Sequence, residues 1–293
     1  MFGLSNWRIE QGEALLPRDP HGAEVLRWQD PATPLNIVEV RTQDGPLYRL
    51  RMNSNLAIDV LPDGRIVTRH GATIPQVTID HFLADQVIPR LLAHSGAFVF
   101  HAGAVRFDEA ALVFLGRSGR GKSTLVASFD QAGLALLGDD AMVLSSPDGV
   151  PHVSPVYPSL RLFPDSLAAL MPGAASAGPV AHYSTKQRID VEVATDAAPS
   201  PLPIRALFAL DEASADSQIG FRRLAAAEAC MLLVESSFAL DPADLEQARR
   251  RLNDAGALAS RVPAFEISYP RDYARLPEVR GAILAQATTL EVA

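Results

Sequence analysis

An α/β fold is predicted, with residues 1–95 as a β-rich N-terminal domain ending in a linking helix and residues 96–293 as a second domain organised around a phosphate-binding loop. Three observations predict it. The stretch Gly116-Arg117-Ser118-Gly119-Arg120-Gly121-Lys122-Ser123-Thr124 fills every position of the pattern G-x-x-x-x-G-K-[ST]. An apolar run, 111–115, precedes it and a helix-compatible run, 124–131, follows it. Before residue 75, short apolar segments are separated by turn residues.

The N-terminal elements come from alternation and turn chemistry. Residues 37–40 and 47–50 flank Asp44-Gly45-Pro46, and Leu56, Ile58 and Val60 lead through Pro62-Asp63-Gly64 into 66–68. Both read as hairpins of an antiparallel sheet. No catalytic constellation appears among them. Thr78 is the expected N-cap of a helix that puts Ile79, Phe82, Leu83, Val87 and Leu91 on one face, with a kink at Pro89 and an end at Gly96.

Three strand-like runs, 97–100, 104–107 and 111–115, lead into the glycine loop. Glycines there let consecutive backbone N–H groups point inward at phosphate oxygens. Lys122 supplies a cation for the outer phosphates and Ser123 a hydroxyl for Mg²⁺. A short helix ends at Gly133, and the buried strand 134–137 closes in Gly138-Asp139-Asp140. A strand end beside a phosphate loop faces the nucleotide, and paired acids there can divide labour, one on the metal and one accepting a proton. The plainer alternative for this pair is a polar strand end in a turn.

Beyond the acids, 142–144 and 150–153 bracket Pro147-Asp148-Gly149 as another hairpin, and a proline-punctuated segment runs from 155 to 164 with Arg161 as its one cation. Residues 172–179 carry no periodicity and are expected to form a mobile loop, either a substrate lid or a disordered surface loop, with Lys186 and Arg188 after it. Strands are expected at 204–210, 218–221 and 265–269. Helices are expected at 224–238, at 243–255 between Asp241-Pro242 and Gly256, and at 277–287. Arg249-Arg250-Arg251 reads as a solvated helix face.

Composition narrows the function classes. With 48% hydrophobic and 20% charged residues the chain is a globular one, and no apolar run approaches the ~20 residues of a membrane span. The N-terminus lacks a basic region followed by an apolar one, so a cytoplasmic location and no membrane partner are expected. Cys230 is the sole cysteine, which excludes an internal disulfide and makes a buried inert thiol the expectation. A net charge of −8 opposes broad affinity for nucleic acid. No G-x-S-x-G or H-E-x-x-H pattern supports acyl transfer or metal-dependent hydrolysis.

Residues 101–140 together resemble the catalytic domain of HPr kinase/phosphorylase, a bacterial serine kinase whose fold is related to phosphoenolpyruvate carboxykinase. The resemblance rests on His101-Ala102-Gly103-Ala104-Val105, on the loop 116–123 and on Gly138-Asp139-Asp140, in that order. Softer likenesses at 157–162, Lys186 and 267–277 resemble the shorter HPr-kinase-like proteins, including those encoded with lasso-peptide genes. What the resemblance implies is a P-loop kinase core of the HPr kinase/phosphoenolpyruvate carboxykinase type. ATP and Mg²⁺ would be its cofactors. Lys122 would contact the β/γ-phosphates, Ser123 and Asp140 would hold Mg²⁺, and Asp139 would act on the acceptor hydroxyl. His101 would lie beside the phosphates, a position that could also belong to a satisfied strand-end histidine. Arg161 and Lys186 would offset charge in the transition state.

Thr124 stands where that family usually has glutamate, and the N-terminal half is not that family's N-terminal domain, so HPr itself is not the expected acceptor. The expected partner is a peptide or protein bearing a serine hydroxyl, such as a lasso-peptide precursor. A homo-oligomer stays open. The alternatives are a small-molecule kinase on the same site, or a nucleotide-binding accessory module without phosphoryl transfer.

Overall fold

The computed structural model describes residues 7–11, 24–30, 35–42, 45–52, 55–157, 160–173, 176–182, 184–189, 200–211 and 218–290. It is a mixed α/β structure with several sheets. By internal contacts the chain divides into unit 1, Met1–Gly96 with Ala181–Tyr183 and Ala239–Arg249, and unit 2, Ala97–Val180, Ser184–Phe238 and Arg250–Ala293. Two short segments from beyond residue 96 therefore belong with the N-terminal elements. Leu240 is fully buried in their apolar core, and the Thr78 hydroxyl meets His182 Nδ1 at 3.0 Å.

Unit 1 holds β1 (Arg8–Gln11), β2 (Glu24–Gln29), β3 (Leu35–Thr42), β4 (Gly45–Met52), β5 (Leu56–Val60) and β6 (Arg65–His70) in the order β1-β6-β5-β4-β3-β2. β1 is parallel to β6 and the other pairs are antiparallel hairpin neighbours. Alternation sends Leu50, Met52, Leu56, Ile58 and Val60 to one face, where Ile79, Phe82, Val87 and Leu91 cover them. Those four come from α1 (Gln76–Phe82), a π-helical turn Leu83–Val87, and α2 (Ile88–His94). Thr78 is not the N-cap. Pro75 occupies that position, and Thr78 lies one turn in, buried, because its hydroxyl is engaged by His182. Pro89 sits in the first turn of α2, directly after the wide π-helical turn, where its missing N–H is tolerated.

Unit 2 begins with β7 (Phe98–Phe100), β8 (Gly103–Phe107) and β9 (Ala110–Leu115), followed by the glycine loop and α3 (Lys122–Gln131). Then come β10 (Leu136–Gly138), β11 (Met142–Ser145), β12 (His152–Pro155) and β13 (Leu160–Leu162). α4 (Pro164–Leu170), β14 (Ser176–Ala181), β15 (Ser184–Ile189), β16 (Leu202–Leu210) and β17 (Gly220–Arg223) follow. The chain closes with α5 (Ala226–Ser236), α6 (Leu245–Arg261), whose residues up to Arg249 count with unit 1, β18 (Ala264–Ser268) and α7 (Leu276–Thr288).

The large sheet runs β10-β8-β9-β16-β12-β11-β7, with β18 paired to β16 and to β17. β16 is parallel to β9 and β18 is parallel to β16. β8 is antiparallel to both β9 and β10, so β10 points the same way as β9 although β8 separates them. Asp139 thus reaches the loop's edge of the sheet without its strand being a neighbour of β9. The start of β8, at Gly103, lies on that same edge.

Alternation along β9 divides the core. Ala111, Val113 and Leu115 face one side with residues of α5 and α6. Leu112 and Phe114 face the other with α3 and α7. On that second side Phe114 stacks with Phe129 at 5.6 Å and Phe208 at 5.8 Å, and Phe208 stacks with Phe265 at 5.8 Å. Packed rings therefore bind β9, β16, β18 and α3 together beneath the loop.

Five further expectations are corrected. Residues 176–181 form strand β14, in a small sheet ordered β13-β15-β14, instead of a loop. Residues 174–175 and 183 of that stretch, and Pro158-Ser159 of the segment before it, lie outside the described residues. α6 starts at Leu245, with Asp244 Oδ1 accepting from Glu246 N at 2.9 Å and Gln247 N at 3.1 Å, so the capping acid is Asp244 and not Asp241. It then runs through Gly256, because Leu258, Ala259 and Val262 continue the buried stripe and outweigh the ~1 kcal/mol helical cost of glycine. Arg251 of the arginine run is half-buried, with its Nη1 3.4 Å from Ser237 Oγ, and Cys230 is partly exposed. Among the described residues no helix is long and apolar enough to cross a membrane.

Candidate functional site

The loop between β9 and α3 turns on glycines in the left-handed region, Gly119 at φ 81° and Gly121 at φ 85°. Gly121 is the N-cap of α3 and its left-handed backbone angle calls for glycine; the tip of the Arg271 side chain lies close by, 2.6 Å from where a Cβ would stand. Arg117, Ser118 and Gly119 form the exposed tip, with Arg120 N donating to Arg117 O at 3.2 Å. Lys122 is buried, and its Nζ donates to Gly116 O at 2.5 Å and Arg117 O at 3.2 Å. Burial lowers its pKa to about 8, against the pull of Asp139 and Asp140 and with a smaller push from Lys186.

Asp139 is 1% exposed and Asp140 6%. Gly103 lies beside the first of them: a Cβ there would stand 3.4 Å from Asp139 Oδ1 and would crowd Val126 Cγ2 of α3 at 2.7 Å. Desolvation and the neighbouring Asp140 raise the Asp139 pKa to about 7, while a hydrogen bond from Ser123 and the charges of Lys186 and Lys122 act to lower it. A carboxyl group poised near neutrality, fully buried and within electrostatic reach of Lys122 and Ser123 of the loop, is suited to accept a proton. Asp140 takes a left-handed backbone, φ 87°, and pairs with Arg161 Nη1 at 3.1 Å. Arg161 is itself buried, and its Nη2 donates to Tyr157 OH at 2.9 Å.

Pairing of β13 with β15 sets Arg161 opposite Arg188, which places Lys186 two residues along on the same face. The Lys186 ammonium lies 5.3 Å from the centre of the Phe163 ring and close enough to act on Asp139 and Lys122. His101 stands two residues ahead of Gly103, half-buried, with its backbone N–H donating to Ser236 O at 2.7 Å. Thr124 turns away from the acids. Its hydroxyl meets Ser166 Oγ at 3.1 Å, Ser166 meets Tyr273 OH at 3.0 Å, and Tyr273 donates to Asp165 at 3.0 Å.

Lys122, Ser123, Asp139, Asp140, Arg161 and Lys186 are thus brought together. The sequence assigns no role to Arg271, which lies directly against Gly121. The signal that could have found it is the strand 265–269. Read as parallel to the loop strand, it delivers the residues after its end to the same edge of the sheet.

Among the described residues no group of three or more His, Cys, Asp or Glu side chains forms a cation cage. Mg²⁺ that arrives with a nucleotide needs only one or two carboxylates besides phosphates and water, and the Ser123 hydroxyl with the buried, oxygen-only acids Asp139 and Asp140 fits that donor set.

No protein-family model matches the chain, and no curated protein matches it. Among solved structures it is similar to the HPr(Ser) kinase/phosphatase from Coxiella burnetii, at 16% sequence identity and a TM-score of 0.33, over 64% of this chain and 97% of that one. A likeness this loose carries no argument about activity, so the chemistry must come from the side chains themselves.

Proposed function

We propose that this chain is a phosphotransferase that moves the γ-phosphoryl group of Mg·ATP to a hydroxyl acceptor, a serine of a peptide or protein being the favoured class. The observation that supports it is the meeting of the loop's Lys122-Ser123 with a buried acid, Asp139, whose pKa is near 7. The acceptor oxygen attacks the γ-phosphorus in line, the bond to the β–γ bridging oxygen breaks, and Asp139 takes the acceptor's proton. Lys122 and Lys186 offset charge on the transferring group, and Arg161 holds Asp140 in place. Mg²⁺, when bound with the nucleotide through Ser123 and Asp140, neutralises phosphate charge.

One observation favours a second reading, an ATP-binding accessory module: Asp140, the acid expected on the metal, is already paired with Arg161. Incubation of a peptide pool with ATP, Mg²⁺ and either wild type or Asp139→Asn, followed by mass spectrometry, separates the two. The kinase reading expects a phosphate-mass gain on serine peptides with wild type alone. ATP binding with no gain on any peptide and no ADP release in cell extract would favour the module.

A further inference from the structure

We propose that Arg271 is a further phosphate-binding cation of this site, reaching the terminal phosphates of the nucleotide from the β18 side of the loop; this rests on the nucleotide reading above. β9, β16 and β18 run parallel, so the loop after Leu115, Asp211 after β16 and the segment after Ser268 all emerge on one edge. Arg271 is carried there by Tyr269 and Pro270.

Its guanidinium is held by two residues, Tyr269 and Asp211. Nη1 donates to Tyr269 OH at 2.5 Å, Nη2 donates to Asp211 O at 3.0 Å, and the group lies 4.5 Å from the centre of the buried Tyr269 ring. A cation held this way loses little freedom on binding a ligand. Among the described residues no carboxylate forms an ion pair with it, although many arginines of this chain do so, such as Arg49 and Arg222. Two of its five N–H donors are used within the protein, and the side chain is exposed beside Gly121, the residue before Lys122.

Strong cations normally find an anion, and the one that belongs beside Gly121-Lys122 is a phosphate. When the acceptor oxygen bonds to phosphorus and the bridging oxygen leaves, negative charge moves onto the β-phosphate of the departing ADP. Arg271 stands where it can receive that charge, while the acceptor's proton goes to Asp139.

The test is calorimetric titration of the full chain with Mg·ATP and with Mg·tripolyphosphate, using wild type, Arg271→Gln and Arg271→Lys. Arg271→Gln is expected to weaken both ligands about tenfold or more, and Arg271→Lys, which keeps the charge but not the fork, to recover part of the loss. Wild-type affinity for both ligands in Arg271→Gln overturns this proposal alone, as does a loss confined to ATP. A wild-type protein that binds neither ligand overturns the nucleotide reading and this proposal with it. Should Arg271→Gln lose its helical circular dichroism, Arg271→Lys carries the same comparison.

Discussion

Asp59 and Asp139 are equally buried, each 1% exposed, and the protein treats them in opposite ways. Asp59, on β5 of unit 1, receives Arg49 Nε at 2.6 Å and Nη2 at 2.8 Å in a two-pronged grip, and Arg69 Nε at 2.7 Å. That is how a charge is kept inside a sheet, because the fork satisfies both carboxylate oxygens and offsets desolvation. Asp139, in unit 2, is set beside a second carboxylate, and its pKa rises to about 7 with Ser123, Lys186 and Lys122 acting against the rise. Burial alone therefore says little about role. What separates a structural acid from a chemical one is whether its neighbours fix the charge or leave the proton negotiable.

The sharpest way to break this comparison is to remove the negotiable proton. Asp139→Asn should lower phosphoryl transfer by about 10²–10⁴-fold, the usual worth of a positioned base, and yet make the protein more stable. The folded-state pKa of Asp139 lies above its ordinary value of 3.8, so the folded chain holds this proton more tightly than the unfolded one. The resulting stability is fully present below about pH 4 and is lost as pH rises toward 7, a loss on the order of a few kcal/mol. Asparagine does not titrate and escapes that loss. Calorimetric melting at pH 5 and pH 8 should show wild type falling relative to Asp139→Asn at the higher pH. A variant that melts below wild type at pH 8 would put Asp139 in the same structural class as Asp59.

The complementary change is Asp59→Asn, which takes the shared carboxylate away from Arg49 and Arg69 and leaves Arg49 the more distant Glu24 at 3.7 Å. It should cost about 3–5 kcal/mol, as breaking one side of a buried ion pair does, and leave turnover per folded molecule near wild type. Denaturant unfolding and active-fraction assays report the two effects separately. A loss of turnover beyond the loss of folded protein would mean that the charged sheet of unit 1 has a part in the chemistry.

This contrast was half visible in the sequence. The glycine loop, Lys122-Ser123 and Asp139-Asp140 are local patterns, each set by residues within a few positions of one another, and they were readable as such. Asp59 was not, because its partners come from β4 and β6 and depend on hairpin register. Arg161 and Lys186 could be assigned only through family resemblance, since nothing in 155–164 or 184–189 says that their strands would pair. α4 and β14 are not legible for a related reason: 155–164 and 172–179 carry no apolar periodicity, yet Pro164 starts a helix and Pro179 lies in a strand at the end of the small sheet. Arg271 needed the direction of β18, which short-range periodicity does not contain.

Thr124 tests the smallest difference between the two kinds of polar group. By motif it belongs with the ligand; by geometry its hydroxyl belongs to a chain through Ser166 and Tyr273 to Asp165, which ties the start of α3 to α4. Thr124→Val keeps the branched shape and removes only that link. Ser166 is 4% exposed and retains Tyr273 as a partner, so the expected cost is about 0.5–1.5 kcal/mol of stability. Nucleotide affinity should stay within a factor of about two, because a hydroxyl engaged with α4 contributes little to phosphate binding. An unchanged melting temperature with an affinity loss of tenfold or more would return Thr124 to the ligand, and would place the boundary between scaffold and chemistry one residue further along α3 than the hydrogen bonds do.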